Sequence, residues 1–273
     1  MLVAEMERLA EIMSRLRDEN GCPWDREQTH TSLKPYLLEE AYEVLEAIDS
    51  GRMDKLREEL GDLLLQVAFH AQVAAEAGDF DLAGVAKCIT DKLIRRHPHV
   101  FTDLTVDGVD GVLANWDKIK AGEYGGERSS ALSGVPTALP ALSRAQKIQS
   151  KAAKIGFDWD DVSGALAKVR EEQEEFKAAM AAAALSGSSN AEREHLSEEF
   201  GDVIFALVNV ARFLKIDAED ALRRTTDKFV RRFRWIEEAA AVQGLELHGM
   251  SLAEMDVLWE EAKRAERPRE CRK

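Results

Sequence analysis

Five short motifs recur along this chain in the same order, and that repetition constrains its architecture more than any single motif does. Gly21-Cys22-Pro23-Trp24-Asp25 is answered by Gly156-Phe157-Asp158-Trp159-Asp160, and Glu39-Glu40-x-x-Glu43 by Glu171-Glu172-x-x-Glu175. Glu58-Glu59-Leu60-Gly61-Asp62 is answered by Glu198-Glu199-Phe200-Gly201-Asp202, and Asp91-Lys92-x-x-Arg95-Arg96 by Asp227-Lys228-x-x-Arg231-Arg232. Trp116-x-x-x-Lys120 is answered by Trp259-x-x-x-Lys263. The offset drifts only between about 132 and 143 residues, which is too long a period for a solenoid. The pattern describes one domain of about 130 residues, duplicated.

Each copy reads as helical. Apolar residues recur at three-to-four spacing through Met1–Arg17, Leu37–Ile48, Met53–Ala77, Leu82–Arg96 and Val112–Lys120. They do so again through Leu139–Ile155, Ala165–Leu185, Glu194–Leu214, Ala218–Ala241 and Leu252–Lys263. Ala, Leu, Glu, Lys and Arg dominate, and no stretch alternates with period two for long enough to form a sheet. The expected fold is all-α, two tandem helical bundles. Gly, Ser and Pro cluster in residues 121–140, so the first domain is set at 1–125, a linker at 126–140 and the second domain at 141–273. A shorter polar gap, Ser186 to Asn190, falls inside a helical hairpin.

Charge and cysteine usage narrow the function. With 51 acidic and 37 basic residues the net charge is −14, a field that repels phosphate backbones and argues against nucleic-acid binding. An acidic protein that handles an anionic substrate needs a cation as go-between. No run approaches the roughly 18 apolar residues of a membrane span, and the first twenty residues mix Leu, Ile and Met with Glu and Arg, unlike a signal peptide. Cys22, Cys88 and Cys271 are odd in number, far apart and at no zinc spacing, which suits reduced thiols in a cytoplasmic protein.

The chemistry is carried by carboxylates. On a helix Glu39, Glu40 and Glu43 fall within an arc of about 100°, with Ala41, Val44, Leu45 and Ile48 opposite. Alone, such a motif is a solvated face. The second acidic pair is different, because Glu59 and Asp62 open a helix with Leu60, Leu63, Leu64, Leu65, Val67 and Phe69 over nearly its whole circumference, and Glu199 and Asp202 do the same. A helix apolar all round is expected to be buried. Asp62 and Asp202 then need a partner, either a basic side chain or a metal. Four or five carboxylates on two consecutive helices suit Mg²⁺, with Mn²⁺ as the alternative. Glu192-x-x-His195 has a di-iron spacing but no counterpart in the first copy, so we read it as coincidence. His97 and His99 flank Pro98 at a helix end and are expected to cap or pack.

Lys228, Arg231 and Arg232 share one helix face, as do Lys92, Arg95 and Arg96. They either bridge to surface Glu or clamp a polyphosphate beside the metal. Trp116 and Trp259, read as opening late helices, are either core residues or lids able to stack on a base. No Gly-x-Ser-x-Gly, P-loop or GxGxxG is present, which leaves metal-assisted attack by water.

EExxE, a short gap and then ExxD resembles the MazG family within the all-α nucleoside triphosphate pyrophosphohydrolases. The similarity runs through GCPWDREQT, LLEEAYEVLEAI, EELGDLLLQV and DKLIRRHPHVF in the first copy, and RAQKIQ, GFDWDD, EEFGDVIFALVNVAR and DKFVRRF in the second. The resemblance implies Mg²⁺-dependent cleavage of nucleoside triphosphates between the α and β phosphates, giving monophosphate and pyrophosphate. It places metal on Glu172, Glu175, Glu199 and Asp202, with Glu171 assisting. It places phosphates on Lys228, Arg231 and Arg232, the nucleotide near Lys168, and base or sugar on Trp259. The first copy matches at Glu39, Glu40, Glu43, Glu59, Asp62, Lys92, Arg95, Arg96 and Trp116. In two-domain relatives the second copy is taken as the working one and the first as dimer-forming, so a homodimer is expected. One departure from the family pattern is His195, where a lysine is usual. From another class, the alternative is a non-catalytic acidic module for dimerisation or regulation whose carboxylates only bridge to Arg.

Overall fold

The computed structural model describes residues 2–123, 130–186 and 189–266. It divides into two compact units, Met1–Gly125 and Gly126–Lys273. Residues 126–129 of the expected linker, Cys271 and the side chain of Lys120 lie outside what is described. Residues 130–140 form turns, and the described residues contain helices and no strand.

The first unit holds α1 (Leu2–Arg17), α2 (Pro23–Glu27), α3 (Lys34–Ser50), α4 (Met53–Ala77), α5 (Leu82–Arg96), α6 (Pro98–Phe101) and α7 (Gly108–Glu123). The periodicity read from sequence gives α4 and α5 at their observed bounds. It misses α2 and α6, which are five and four residues long and too short for a period to show. Both begin with proline, whose fixed φ suits a first helical turn. The α3–α4 hairpin turns at Gly51, which has a left-handed φ of 67° that costs a glycine nothing. Its core joins Met13 of α1 and Leu33 to Ala68 and Phe69 of α4, with Leu9, Leu16 and Leu65 around them. Met13 and Leu33 are fully buried, each contributing about 1.5–3 kcal/mol of transfer free energy. The GCPWD loop is tied down by Arg17, which pairs with Glu76 at 2.8 Å and donates to the carbonyls of Asp25 and Gln28. Gly21 is needed there, since a Cβ would lie 2.2 Å from the Leu16 carbonyl oxygen.

The second unit holds α8 (Ala141–Lys154), α9 (Val162–Ser186), α10 (Asn190–Phe213), α11 (Ala218–Val242) and α12 (Leu252–Glu266), with a 3₁₀ turn at Leu247–Gly249. Its central feature is the hairpin of α9 and α10, antiparallel by the shortness of its connection. Ser189 and Glu192 form a reciprocal capping box at the start of α10, so Glu192 is a helix cap and not half of a di-iron motif. Gln149 of α8 donates to the Phe205 carbonyl, and Gln146 binds both Ile216 O and Ala218 N, which pins the α10–α11 turn. Trp159 packs where Gly164 has no side chain, because a Cβ there would meet the indole at 2.4 Å. A second small core gathers Ile236 and Ala240 of α11 with Leu258 of α12.

One expectation fails here. α4 and α10 are apolar all round, yet neither is enclosed within the chain. On α10, Phe200, Phe205 and Leu207 are 53%, 45% and 49% exposed, while Ala206, Val208 and Asn209 face inward. Leu60, Leu64 and Val67 of α4 are likewise exposed. Asp202 is therefore exposed and Asp62 only half-buried, in place of the burial expected for both. An apolar circumference states that every side seeks cover, not that one chain supplies it.

Candidate active site

The two acidic motifs meet across the hairpin in each unit. In the second, Glu172 of α9 and Glu199 and Asp202 of α10 each offer a carboxylate oxygen, and these oxygens lie within 4.8 Å of one another. In the first, Glu40 and Glu43 of α3 and Glu59 of α4 do the same. Helical spacing accounts for both arrangements: residues three or four apart share a face, and a hairpin sets two such faces opposite each other.

The buried member of the second cluster is Glu172, 6% exposed, and not the aspartate. Its counter-charge is Lys168, one turn earlier on α9, with Nζ at 2.5 Å from Glu172 Oε1 and 2.7 Å from Glu171 Oε1. These two carboxylates hold the lysine well above its ordinary pKa. Glu175 completes the acidic face. Loss of water around its carboxyl and then the neighbouring Glu172 and Glu199 push its pKa upward. His195 Nδ1 stands 3.6 Å from Glu199 Oε1, while Glu199 Oε2 is buried with no hydrogen-bond partner. Phe176 and Phe200 pack across the hairpin, their rings tilted by 49° with centroids 5.6 Å apart.

The first cluster is charged differently. Desolvation, followed by Asp62, Glu43 and Glu39, raises the pKa of Glu40; desolvation, followed by Glu43, raises that of Glu59. By alignment of the repeats, Tyr36 stands where the second unit has Lys168, and Lys55 where it has His195. Lys55 Nζ is 3.9 Å from Glu59 Oε1. The two units thus carry their lysine on opposite helices of the hairpin. The repeated motifs contain these substitutions, and only the structure shows that they decide which carboxylate faces the lysine.

A divalent cation fits the second cluster. Three hard oxygens converge from two helices, one carboxylate is deeply buried, and one buried oxygen lacks any donor. The basic residues gather elsewhere on their own helix. Arg232 bonds Glu266 at 2.8 Å and lies over the Trp259 ring at 5.5 Å, and Arg231 is 4.0 Å from Glu266. Lys228 is half-buried on the same helix. Trp259 also packs on Phe229 at 5.2 Å and lies in the middle of α12, not at its start as expected. Trp116 likewise lies within α7, its ring against His97 at 5.2 Å. His97 and His99 pack on each other, and His97 Nδ1 meets the Leu93 carbonyl, as expected of end-of-helix residues. In the first unit Lys92 lines a 450 Å³ cleft with Phe80, Cys88 and Ile89, while Arg95 and Arg96 close α5. In the second unit the acidic group lies on α9 and α10 and the basic group on α11. The repeats make the carboxylates legible; the pairing of Lys168 with Glu172 is not read from sequence, though its four-residue spacing is visible.

Comparison with known proteins agrees with the repeat. The MazG nucleotide pyrophosphohydrolase domain matches twice, at residues 28–101 and 161–236. The nucleoside triphosphate pyrophosphohydrolase/pyrophosphatase MazG of Thermotoga maritima is 46% identical over 257 residues, 94% of this chain and 95% of that one. The nucleoside triphosphate pyrophosphohydrolase of Escherichia coli K12 is 48% identical over 264 residues, 96% of this chain and 98% of that one. The protein YabN of Bacillus subtilis is 53% identical over 268 residues, 98% of this chain and 53% of that one. With both acidic hairpins inside the matched segments, this chain belongs to the MazG family and carries its domain in tandem.

Proposed function

We propose that this chain hydrolyses nucleoside triphosphates between the α and β phosphates, releasing a nucleoside monophosphate and pyrophosphate. The observation that carries the reading is the α9–α10 carboxylate cluster, with its orphaned Glu199 oxygen, in a chain so similar over its whole length to two nucleoside triphosphate pyrophosphohydrolases. Glu172, Glu175, Glu199 and Asp202 would hold Mg²⁺, or Mn²⁺ in its place. When bound there, the ion neutralises triphosphate charge and acidifies a nearby water. Glu171, exposed beside Glu172, would accept a proton or orient that water. Lys228, Arg231 and Arg232 supply the positive charge that stabilises pyrophosphate as it leaves. Trp259 offers an indole face to base or sugar. A non-catalytic dimerisation or regulatory module is not favoured, since the relatives matched over nearly the whole chain are named as nucleoside triphosphate pyrophosphohydrolases.

The test is the product. Mg²⁺-dependent release of pyrophosphate, with ¹⁸O from labelled water in the monophosphate, is expected. Release of phosphate in place of pyrophosphate, or label in pyrophosphate, contradicts the assignment.

The exposed apolar sides of α4 and α10 support association of two copies. We assign these to a homodimer interface drawn from Leu63 to Ala75 and Val203 to Phe213, with Phe200 at its margin. Light scattering at micromolar concentration should give twice the 30.5 kDa of one chain. A monomer at that concentration excludes the interface. Among the described residues no helix is long and apolar enough to cross a membrane, and we place the enzyme in the cytoplasm with the nucleotides it acts on.

A further inference from the structure

Lys168 commits its charge to two carboxylates, one exposed and one buried. Its Nζ lies 2.7 Å from Glu171 Oε1 and 2.5 Å from Glu172 Oε1, and Glu172 is the one charged residue among those described that is buried. A carboxylate that deep is tolerated only with a counter-charge, and the ammonium provides it. The same carboxylate also belongs to the group that faces Glu199 and Asp202 within 4.8 Å, where Glu199 Oε2 has no partner. Two claims therefore fall on Glu172. The lysine is the movable claimant. Its side chain is 36% exposed, and its compact charge rides on a flexible four-carbon stem that reaches solvent without moving the helix. The first unit provides an internal contrast, because Tyr36 stands at this position and Glu40 has no ammonium one turn before it.

We propose that Lys168 is the resident counter-ion of the metal-free second site, displaced from Glu172 when a divalent cation enters and then available to an anionic oxygen of the triphosphate. This rests on the metal reading above and adds to it an exchange of cations. An ammonium and a divalent ion on one buried carboxylate repel strongly where little water screens them. The incoming ion takes Glu172, and Lys168 swings outward with its proton retained. Metal and nucleotide binding are then coupled with positive sign, since the ion sets free the charge that the phosphates need.

Removing the ammonium should therefore act in opposite directions on the two ligands. In the full-length chain, Lys168→Met is expected to bind Mn²⁺ about tenfold more tightly at one class of site, read from free Mn²⁺ by electron paramagnetic resonance. At saturating Mg²⁺ the same variant is expected to bind a nucleoside triphosphate with a methylene between the α and β phosphorus about tenfold more weakly. Lys168→Arg, which keeps the charge, should restore most of the wild-type Mn²⁺ affinity. The wild-type protein gives a reading that no variant's folding can confound: the ¹³Cε signal of Lys168 should shift as Mg²⁺ is added. Unchanged or weaker Mn²⁺ binding by Lys168→Met, or a Lys168 signal that Mg²⁺ leaves in place, overturns the exchange while the metal site stands. Failure of the wild-type chain to bind Mn²⁺ overturns the metal reading and the exchange with it.

Discussion

Glu172→Gln should lower pyrophosphate release by about a thousandfold or more, a loss of about 4 kcal/mol of transition-state stabilisation. The substitution keeps shape and volume and removes one charge from the most buried carboxylate of the site. That charge has two duties: it faces Glu199 and Asp202 as part of the cation cage, and it holds Lys168. A neutral amide is a poor ligand for a hard divalent ion, so metal affinity and turnover should fall together. Asp202→Asn separates chemistry from folding more cleanly. Asp202 is exposed, so its melting temperature in metal-free buffer should stay near wild type while activity falls by a comparable factor. Initial rates from a pyrophosphate-coupled assay, with melting curves followed by circular dichroism, read both. Near-normal Mg²⁺-dependent turnover in either variant removes that residue from the metal site.

Much of this architecture is legible in the chain because helices write their period into it. The bounds of α4 and α5 follow from apolar spacing, and the pairing of EExxE with ExxD follows from two helical faces joined by a short turn. Misreadings arise where the deciding neighbour is distant in sequence or absent from the chain. Asp202 is expected to be buried because Phe200, Phe205 and Leu207 surround it in projection, yet these side chains are 53%, 45% and 49% exposed. Trp259 is read as opening a helix, but it lies seven residues into α12, whose start at Leu252 the apolar spacing does give, and the indole packs mid-helix on Phe229. The stacked His30 and His70, with Nδ1 atoms 2.8 Å apart, join a loop to α4 across a separation that no local pattern marks. Lys168 illustrates the intermediate case. Its spacing to Glu172 was plain, but only burial shows that the lysine neutralises a cluster member and is not a surface pair of small worth.

The second large effect is a contrast between the units: Glu40→Gln should leave most of the activity that Glu172→Gln destroys. Both hairpins gather three carboxylates, so counting acids does not separate them. Their surroundings do. In the second unit α11 runs for 25 residues and brings Arg232 and Phe229 against Trp259. In the first, α5 stops after 15 residues at Arg96, ahead of His97 and Pro98, and Trp116 packs against His97. The first cluster also lacks a counterpart of Lys168, and desolvation together with Asp62 and Glu43 already raises the pKa of Glu40. Neutralising Glu40 relieves that repulsion, so the fold should persist and the second unit continue to work. The measurement that bears most directly on the account is pyrophosphate release by wild type, Glu172→Gln and Glu40→Gln, side by side at saturating Mg²⁺. The account predicts about a thousandth of wild-type rate or less for Glu172→Gln and more than about half for Glu40→Gln. Equal losses would mean two working sites or one composite site, and the reverse order would place the chemistry in the first unit; either result contradicts the assignment made to the α9–α10 cluster.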